Sequence, residues 1–125
     1  MSERGVGPPA QEQLLMVSRW LQGAAMVVKV DGEVDNLTTP RLWAALDETS
    51  RPSGVGRVVV DLLGVTFMAS AGVVVLSRVA EQTHRRRELL RVVTGQHRPV
   101  VRPIEITGLR AELTLCRSIA EALVA

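Results

Sequence analysis

The stretch Val58-Val59-Val60-Asp61-Leu62-Leu63-Gly64-Val65-Thr66-Phe67-Met68-Ala69-Ser70-Ala71-Gly72 constrains this chain more than any other. Val58 to Leu62 is a continuous apolar, mostly β-branched run interrupted only by Asp61. Such a run, bounded by turn signals, reads as a central strand buried on both faces. Asp61 and Gly64 mark the strand's end and a turn. The small-residue cluster Ala69-Ser70-Ala71-Gly72 then opens a helical pattern. A strand feeding a helix in this way exposes backbone N–H groups, and Ser70 adds a hydroxyl, at the positive end of a helix dipole. A phosphate, an anion or a partner's carboxylate is welcome there.

The helix is expected to run from Ser70 to about Arg86. At about 100° per residue, Gly72, Leu76, Val79 and Thr83 share one face, flanked by Val75 and Ala80. Ser77, Arg78, Glu81 and Gln82 lie opposite. The run Val73-Val74-Val75 argues locally for a strand, and the spacing argues against it. Val74 falls inside the polar face, one turn before Arg78. It is either a tolerated exposed valine or part of a contact surface.

The remaining elements follow from turn and cap chemistry. Gln11–Leu21 and Ala25–Val30 read as an antiparallel hairpin joined at Gln22-Gly23, with Asp31-Gly32 ending the second strand. Thr39 and Pro40 read as N-cap and first residue of a helix striped by Leu42, Ala45 and Leu46. Arg51-Pro52-Ser53-Gly54 breaks it. Leu89–Val93 is a strand and Pro99–Thr107 a helix stopped by Gly108, with Pro103 awkward inside it. Leu113–Cys116 is a last strand. Ser118–Ala125 is a last helix, with Ser118 and Glu121 spaced as a capping box. The order ββαβαβαβα implies an α/β fold: a mixed, mostly parallel sheet of about five strands with about four helices. A length of 125 residues suits a single domain. Residues 1–10, rich in Gly and Pro, are expected to be a disordered tail, and residues 11–125 the domain.

Little here can carry catalysis. Aromatic residues make up 2% of the chain (Trp20, Trp43, Phe67, no tyrosine), so stacking platforms for nucleic acid are essentially missing. A formal net charge of +2 adds no strong electrostatic argument for a nucleic-acid partner. Cys116 is the one cysteine, which excludes an internal disulfide and a cysteine-rich metal site and fits a reducing cytoplasm. It reads as a buried small hydrophobe. His84 and His97 read as surface histidines without ligand spacing. Asp61 reads as a structural carboxylate. There is no Walker loop, GxGxxG motif or nucleophile elbow. No metal or cofactor is expected, nor an enzyme. The run Thr83-His84-Arg85-Arg86-Arg87 complements a helix C-terminus. Its alternative reading is a nucleic-acid patch spanning Arg85 to Arg91. No apolar run approaches the roughly 20 residues of a membrane span. Ser70 reads first as an N-cap and second as a regulatory hydroxyl, where a phosphate would add about −1.5 to −2 charge.

Three places in the chain resemble the STAS domain of the anti-sigma factor antagonists, over about residues 11–125. Gly32-Glu33-Val34-Asp35, followed by Thr38-Thr39, resembles the family's Gly-Glu-Leu/Ile-Asp stretch leading into its first helix. Val58 to Gly72 resembles its strand–loop–helix signature, Asp-Leu-x-x-Val-x-Phe-hydrophobic-Asp-Ser-Ser/Thr-Gly. Ile106-Thr107-Gly108-Leu109 and Leu113 to Leu123 resemble its closing helix–strand–helix. The resemblance implies a binding module whose partner is an anti-sigma factor of protein-kinase-like fold. Binding frees a sigma factor, and phosphorylation of the hydroxyl residue before the signature Gly reverses it. Here that Gly is Gly72, the acceptor position is Ala71, and the family's preceding acid is Ala69. Ser70 is the remaining substitute acceptor. Adjacent helical residues point about 100° apart, so its hydroxyl would not automatically meet a kinase. The implied docking set is Asp35, Met68, Ala69, Ser70, Ala71, Gly72, Val74 and Arg78, on an apolar helix start suited to unswitched binding. The alternative is a scaffold or sensor STAS subunit of a larger signalling assembly. A homodimer is left open.

Overall fold

The computed structural model describes residues 14–50 and 56–125. The tail expected over residues 1–10 and the break expected at Arg51-Pro52-Ser53-Gly54 lie outside the described residues. β1 (Leu15–Gln22) and β2 (Ala25–Val34) form the antiparallel hairpin, turned at Gly23-Ala24. β2 does not end at Asp31-Gly32. Gly32 adopts φ 106°, and a Cβ there would lie 1.9 Å from the Leu14 carbonyl oxygen. The β2 register against the next strand slips between Lys29 and Asp31 and again between Gly32 and Glu33. Asp31-Gly32 is therefore an irregularity inside a strand, where the glycine serves close backbone approach instead of a turn.

α1 (Thr39–Ser50) begins one residue earlier than expected. The Thr38 carbonyl accepts from Arg41 N at 3.0 Å and Leu42 N at 3.1 Å, so Thr38 is the cap. β3 (Arg57–Met68) runs past Leu62 and through Gly64, which is not a turn. A Cβ on Gly64 would lie 1.8 Å from Asp31 Oδ1. The side chain of β2 crosses over this residue, and only hydrogen fits beneath it.

The chain continues with α2 (Ser70–Arg85), β4 (Leu89–Val93), α3 (Arg98–Thr107), a 3₁₀ turn at Arg110–Glu112, β5 (Leu115–Cys116) and α4 (Ile119–Ala122). Strand order in the sheet is β1-β2-β3-β4-β5, with every pair after the hairpin parallel. This is the mixed, mostly parallel α/β architecture the sequence implied. Gly108 stops α3 in the left-handed conformation at φ 74°. α4 is shorter than Ser118–Ala125. Ser118 caps it, accepting from Glu121 N at 3.1 Å. The Glu121 carboxylate turns outward instead, accepting from Arg117 N at 2.9 Å and Arg117 Nε at 3.1 Å. These bonds hold the Glu121 carboxyl below its ordinary range.

Period-two alternation along β3 separates two cores. Val58, Val60 and Leu62 face a large aliphatic core closed by Leu42 and Leu46 of α1, Val73, Leu76 and Val79 of α2, and Val100 and Ile104 of α3. Val59 faces a smaller cluster of Ala25, Val27, Val93, Cys116 and Ala122 under α4. The strand is buried on both faces, as its apolar run implied, Asp61 included. The helical face Gly72, Leu76, Val79, Thr83 is the buried face of α2, joined by Val73.

Candidate protein-docking surface

The end of β3 and the start of α2 are held by short backbone bonds. Ala69 N donates to Val34 O at 2.7 Å, and Gly72 N to Ala69 O at 2.9 Å. Ala69, extended at φ −75° and ψ 160°, occupies the N-cap without a side-chain bond. Ser70 is thus not the cap. It lies in the first helical turn, exposed to solvent. A β-strand that ends by pairing with β2 leaves Ala69 in the extended conformation a cap requires.

The expected docking residues divide into surface and support. Met68 is 2% exposed and pairs with Val34, so its side chain belongs to the core. Gly72 is buried as well. A Cβ on it would lie 2.7 Å from Val34 Cγ1 and 3.1 Å from Met68 Cγ. Both correct the expected surface: they let α2 seat closely on the sheet and do not face outward. Ala69 and Ala71 are half-buried, and Ser70, Val74 and Arg78 are exposed. Positions 70, 74 and 78 are four residues apart, so they form one stripe along the helix. Val74 retains 39% exposure in the middle of it.

Asp35 lies in the loop after Val34, next to the Ala69 contact. Its Oδ1 accepts from Leu37 N at 2.9 Å and Thr38 N at 2.9 Å. The buried Thr38 hydroxyl accepts from Asp35 N at 2.9 Å and donates to Glu33 O at 2.9 Å. This network shapes a loop that carries Leu37 outward at 65% exposure. Leu37 was not among the expected docking residues, and neither were Phe67 and Ile106, exposed by 51% and 70%. Phe67 and Ile106 line an apolar cleft of about 480 Å³ with Met68, Ser70, Pro99 and Pro103. The signal for Ile106 was present: two residues after Ile104 it falls about 200° around the helix, away from the core. Phe67 gave no such signal, because Thr66 and Phe67 are both exposed and the alternation slips there.

Outside this surface, Asp61 is buried beside Lys29 and accepts from Leu63 N at 2.9 Å, a structural placement. The Lys29 ammonium is held above its ordinary range, first by its hydrogen bond to Asp31, at 2.8 Å, and then by the charges of Asp31 and Asp61. His97 is not the surface histidine expected. Half-buried, it caps α3 and donates from Nε2 to Val65 O at 2.6 Å, tying that helix to β3. Burial pushes the Cys116 thiol up. Among the described residues no three His, Cys, Asp or Glu side chains come together as a metal site. Among them, too, no helix is long and apolar enough to cross a membrane. In the basic run, Arg85 pairs with Glu81 at 3.0 Å across one helical turn.

A sequence profile of the family described as Mlab, STAS domain matches residues 17–117. No curated protein matches the chain. Among solved structures, an anti-sigma factor antagonist from Mycobacterium paratuberculosis is 28% identical, with a TM-score of 0.79, covering 87% of this chain and 91% of that one. The anti-sigma factor antagonist SpoIIAA in its unphosphorylated form is 13% identical, with a TM-score of 0.66, covering 85% and 90%. The Bacillus cell fate determinant SpoIIAA in its phosphorylated form is 12% identical, with a TM-score of 0.61, covering 85% and 94%. The last two likenesses are of fold.

Proposed function

The chain belongs to the STAS-domain family, and from that premise we propose that it is an anti-sigma factor antagonist: a non-catalytic cytoplasmic module that binds an anti-sigma factor of protein-kinase-like fold and frees a sigma factor for transcription. Support comes from the fold shared with structures bearing that description and from an exposed stripe at the start of α2. The observation that carries the reading is the pairing of Gly72 with Ala71. Gly72 holds α2 against Val34 and Met68, and the residue before it has no hydroxyl. A phosphate cannot form there, so this antagonist is not switched off by the usual phosphorylation. Its level, a second partner or another signal controls it.

Val74 and Leu37 are the apolar contacts of this reading, with Ser70 and Arg78 beside Val74 and Asp35 shaping the Leu37 loop. Val74 and Leu37 retain 39% and 65% exposure, together about one full side chain, so burying both supplies about 1.5–3 kcal/mol before the cost of association. The test is co-purification of the intact chain with each kinase-fold anti-sigma factor of its source cell, followed by incubation with ATP and intact-mass spectrometry. A stable complex without added phosphate supports the proposal. Stoichiometric phosphate on the wild-type chain, at Ser70 for instance, refutes the unswitched part of it. An Ala71→Ser variant that gains phosphate supports the positional assignment.

One feature supports the second reading, a scaffold or sensor subunit. Met16 and Trp20 of β1 and Leu63 of β3 remain exposed at 58%, 38% and 43%. Gel filtration separates the two: a monomer or dimer fits the antagonist, a large assembly the scaffold.

A further inference from the structure

The cleft beside Ser70 has a chemistry of its own. Phe67, Pro99, Pro103 and Ile106 make it apolar. Its charged lining is Arg98 and Arg102, and among the described residues no carboxylate lines it. The same two arginines also line a cavity of about 590 Å³ on the other flank of α3, together with Arg110 and Arg117; Glu105 is the acid there. Arg117 is engaged by Glu121 at 3.1 Å. α3 therefore raises an arginine ridge between an apolar cleft and a basic one. The whole chain carries a formal net charge of only +2, so the concentration is local. The wall is fixed at its base by the His97–Val65 bond.

We propose that this cleft docks an acidic amphipathic helix from a protein partner, its apolar side chains between Phe67 and Ile106 and its carboxylates on Arg98 and Arg102. An apolar cleft alone selects no partner; the arginines supply the sign. Exposed ion pairs contribute little affinity singly, so burial of the apolar face holds the helix while the charges set orientation and exclude basic competitors. A helix offers both chemistries from one segment, with apolar anchors at i, i+4 and i+7 on one face and carboxylates on its flanks. The cleft is shallow, with Phe67 and Ile106 exposed by 51% and 70%, so an anionic membrane surface is the competing occupant that vesicle flotation tests. The partner that supplies this helix need not be an anti-sigma factor.

The test titrates the ¹⁵N-labelled full chain with a synthetic helical peptide of about 18 residues, five turns, bearing leucine at i, i+4, i+7 and i+11 and glutamate between. Controls are the peptide with every glutamate replaced by lysine, and a scramble. The expected result is saturable shifts centred on Phe67, Arg102 and Ile106, with the acidic peptide about tenfold tighter than the lysine one. Ile106→Ser, on an exposed side chain, weakens binding about tenfold, and Arg98→Glu with Arg102→Glu inverts the charge preference. Val74→Asp leaves peptide binding unchanged. Loss of anti-sigma binding in that variant with peptide binding intact separates failure of one surface from failure of the other. The inference is overturned by no saturation up to about 1 mM, by equal binding of the scramble, by shifts mapping elsewhere, or by flotation with equimolar phosphatidylglycerol–phosphatidylcholine vesicles in place of peptide binding.

Discussion

Replacing Gly72 with alanine tests whether the start of α2 is positioned by close packing. The added Cβ would lie 2.7 Å from Val34 Cγ1 and 3.1 Å from Met68 Cγ. Carbon pairs prefer about 3.5–4.0 Å, so the helix start must lift by up to about 1 Å or both neighbours must leave their rotamers. Overpacking of this kind costs about 1–3 kcal/mol. Alanine recovers up to about 1 kcal/mol of helix propensity relative to glycine. With that propensity recovered in full, the net expectation is a loss of about 0–2 kcal/mol, or a Tm lowered by up to about 8 °C for a domain of this size. Urea unfolding followed by circular dichroism gives the free energy, and a thermal scan gives Tm. The contact itself is isolated by adding Val34→Ala, which removes the Cγ1 that the new methyl meets. In the double variant the cost of Gly72→Ala should fall by about 1 kcal/mol, a coupling well above the error of the cycle. A Gly72→Ala chain that is more stable than the wild type, as an unstrained glycine replacement would be by about 0.4–1 kcal/mol, rules out close packing at this position. Costs of Gly72→Ala and Val34→Ala that add within about 0.5 kcal/mol rule it out equally.

Asp35→Ala should destabilise the chain by about 1–2 kcal/mol by orphaning the Leu37 and Thr38 amides, whereas Asp35→Asn keeps the acceptor and the stability; comparing anti-sigma affinity for the two variants in calorimetry separates the loop-shaping role from a charge at the interface. Val74→Asp should leave Tm unchanged within about 2 °C, since the side chain is on the surface, yet weaken partner capture at least tenfold in surface plasmon resonance, a loss of about 1.4 kcal/mol; unaltered capture removes Val74 from the interface. Burial pushes the Glu88 carboxyl above its ordinary value of 4.5, so its ionised form penalises the folded state. Glu88→Gln should therefore stabilise the chain at neutral pH, with the gain shrinking as pH falls through the raised value and vanishing below the ordinary one. Glu121 has the opposite sign: the stabilisation lost in Glu121→Gln should be present above the ordinary value of 4.5 and disappear as pH falls through the lowered one in denaturant titrations.

Where a pattern reports local physics, it was legible. Val58 to Leu62 reads as a strand buried on both faces, since its apolar residues fall on both sides of the pleat and Asp61 is the one polar position. The 3.6-residue spacing in α2 set Gly72, Leu76, Val79 and Thr83 on the core face in spite of three consecutive valines, and left out Val73, which is buried as well. Gly108 and Ser118 announced a helix stop and a helix start. The absence of a hydroxyl at Ala71 is likewise a fact of sequence that no fold alters.

The tertiary structure decided what depends on a neighbour distant in the chain. Asp31-Gly32 looks like a turn to any local rule, yet the Leu14 carbonyl above Gly32 makes it an irregular step within β2. Gly64 looks like a second turn until the Asp31 carboxylate is found across it. The docking set implied by resemblance put Met68 and Gly72 on the surface, although the helical spacing set Gly72 on the face of Leu76 and Val79, and Val34 makes both interior. Phe67, Ile106, Arg98 and Arg102 become one cleft because α3 is docked beside the end of β3, fixed by the His97–Val65 bond. Composition and spacing determine which residues seek burial and how each segment coils; which of them meet is set by packing between segments, and a docking surface is made of what that packing leaves uncovered.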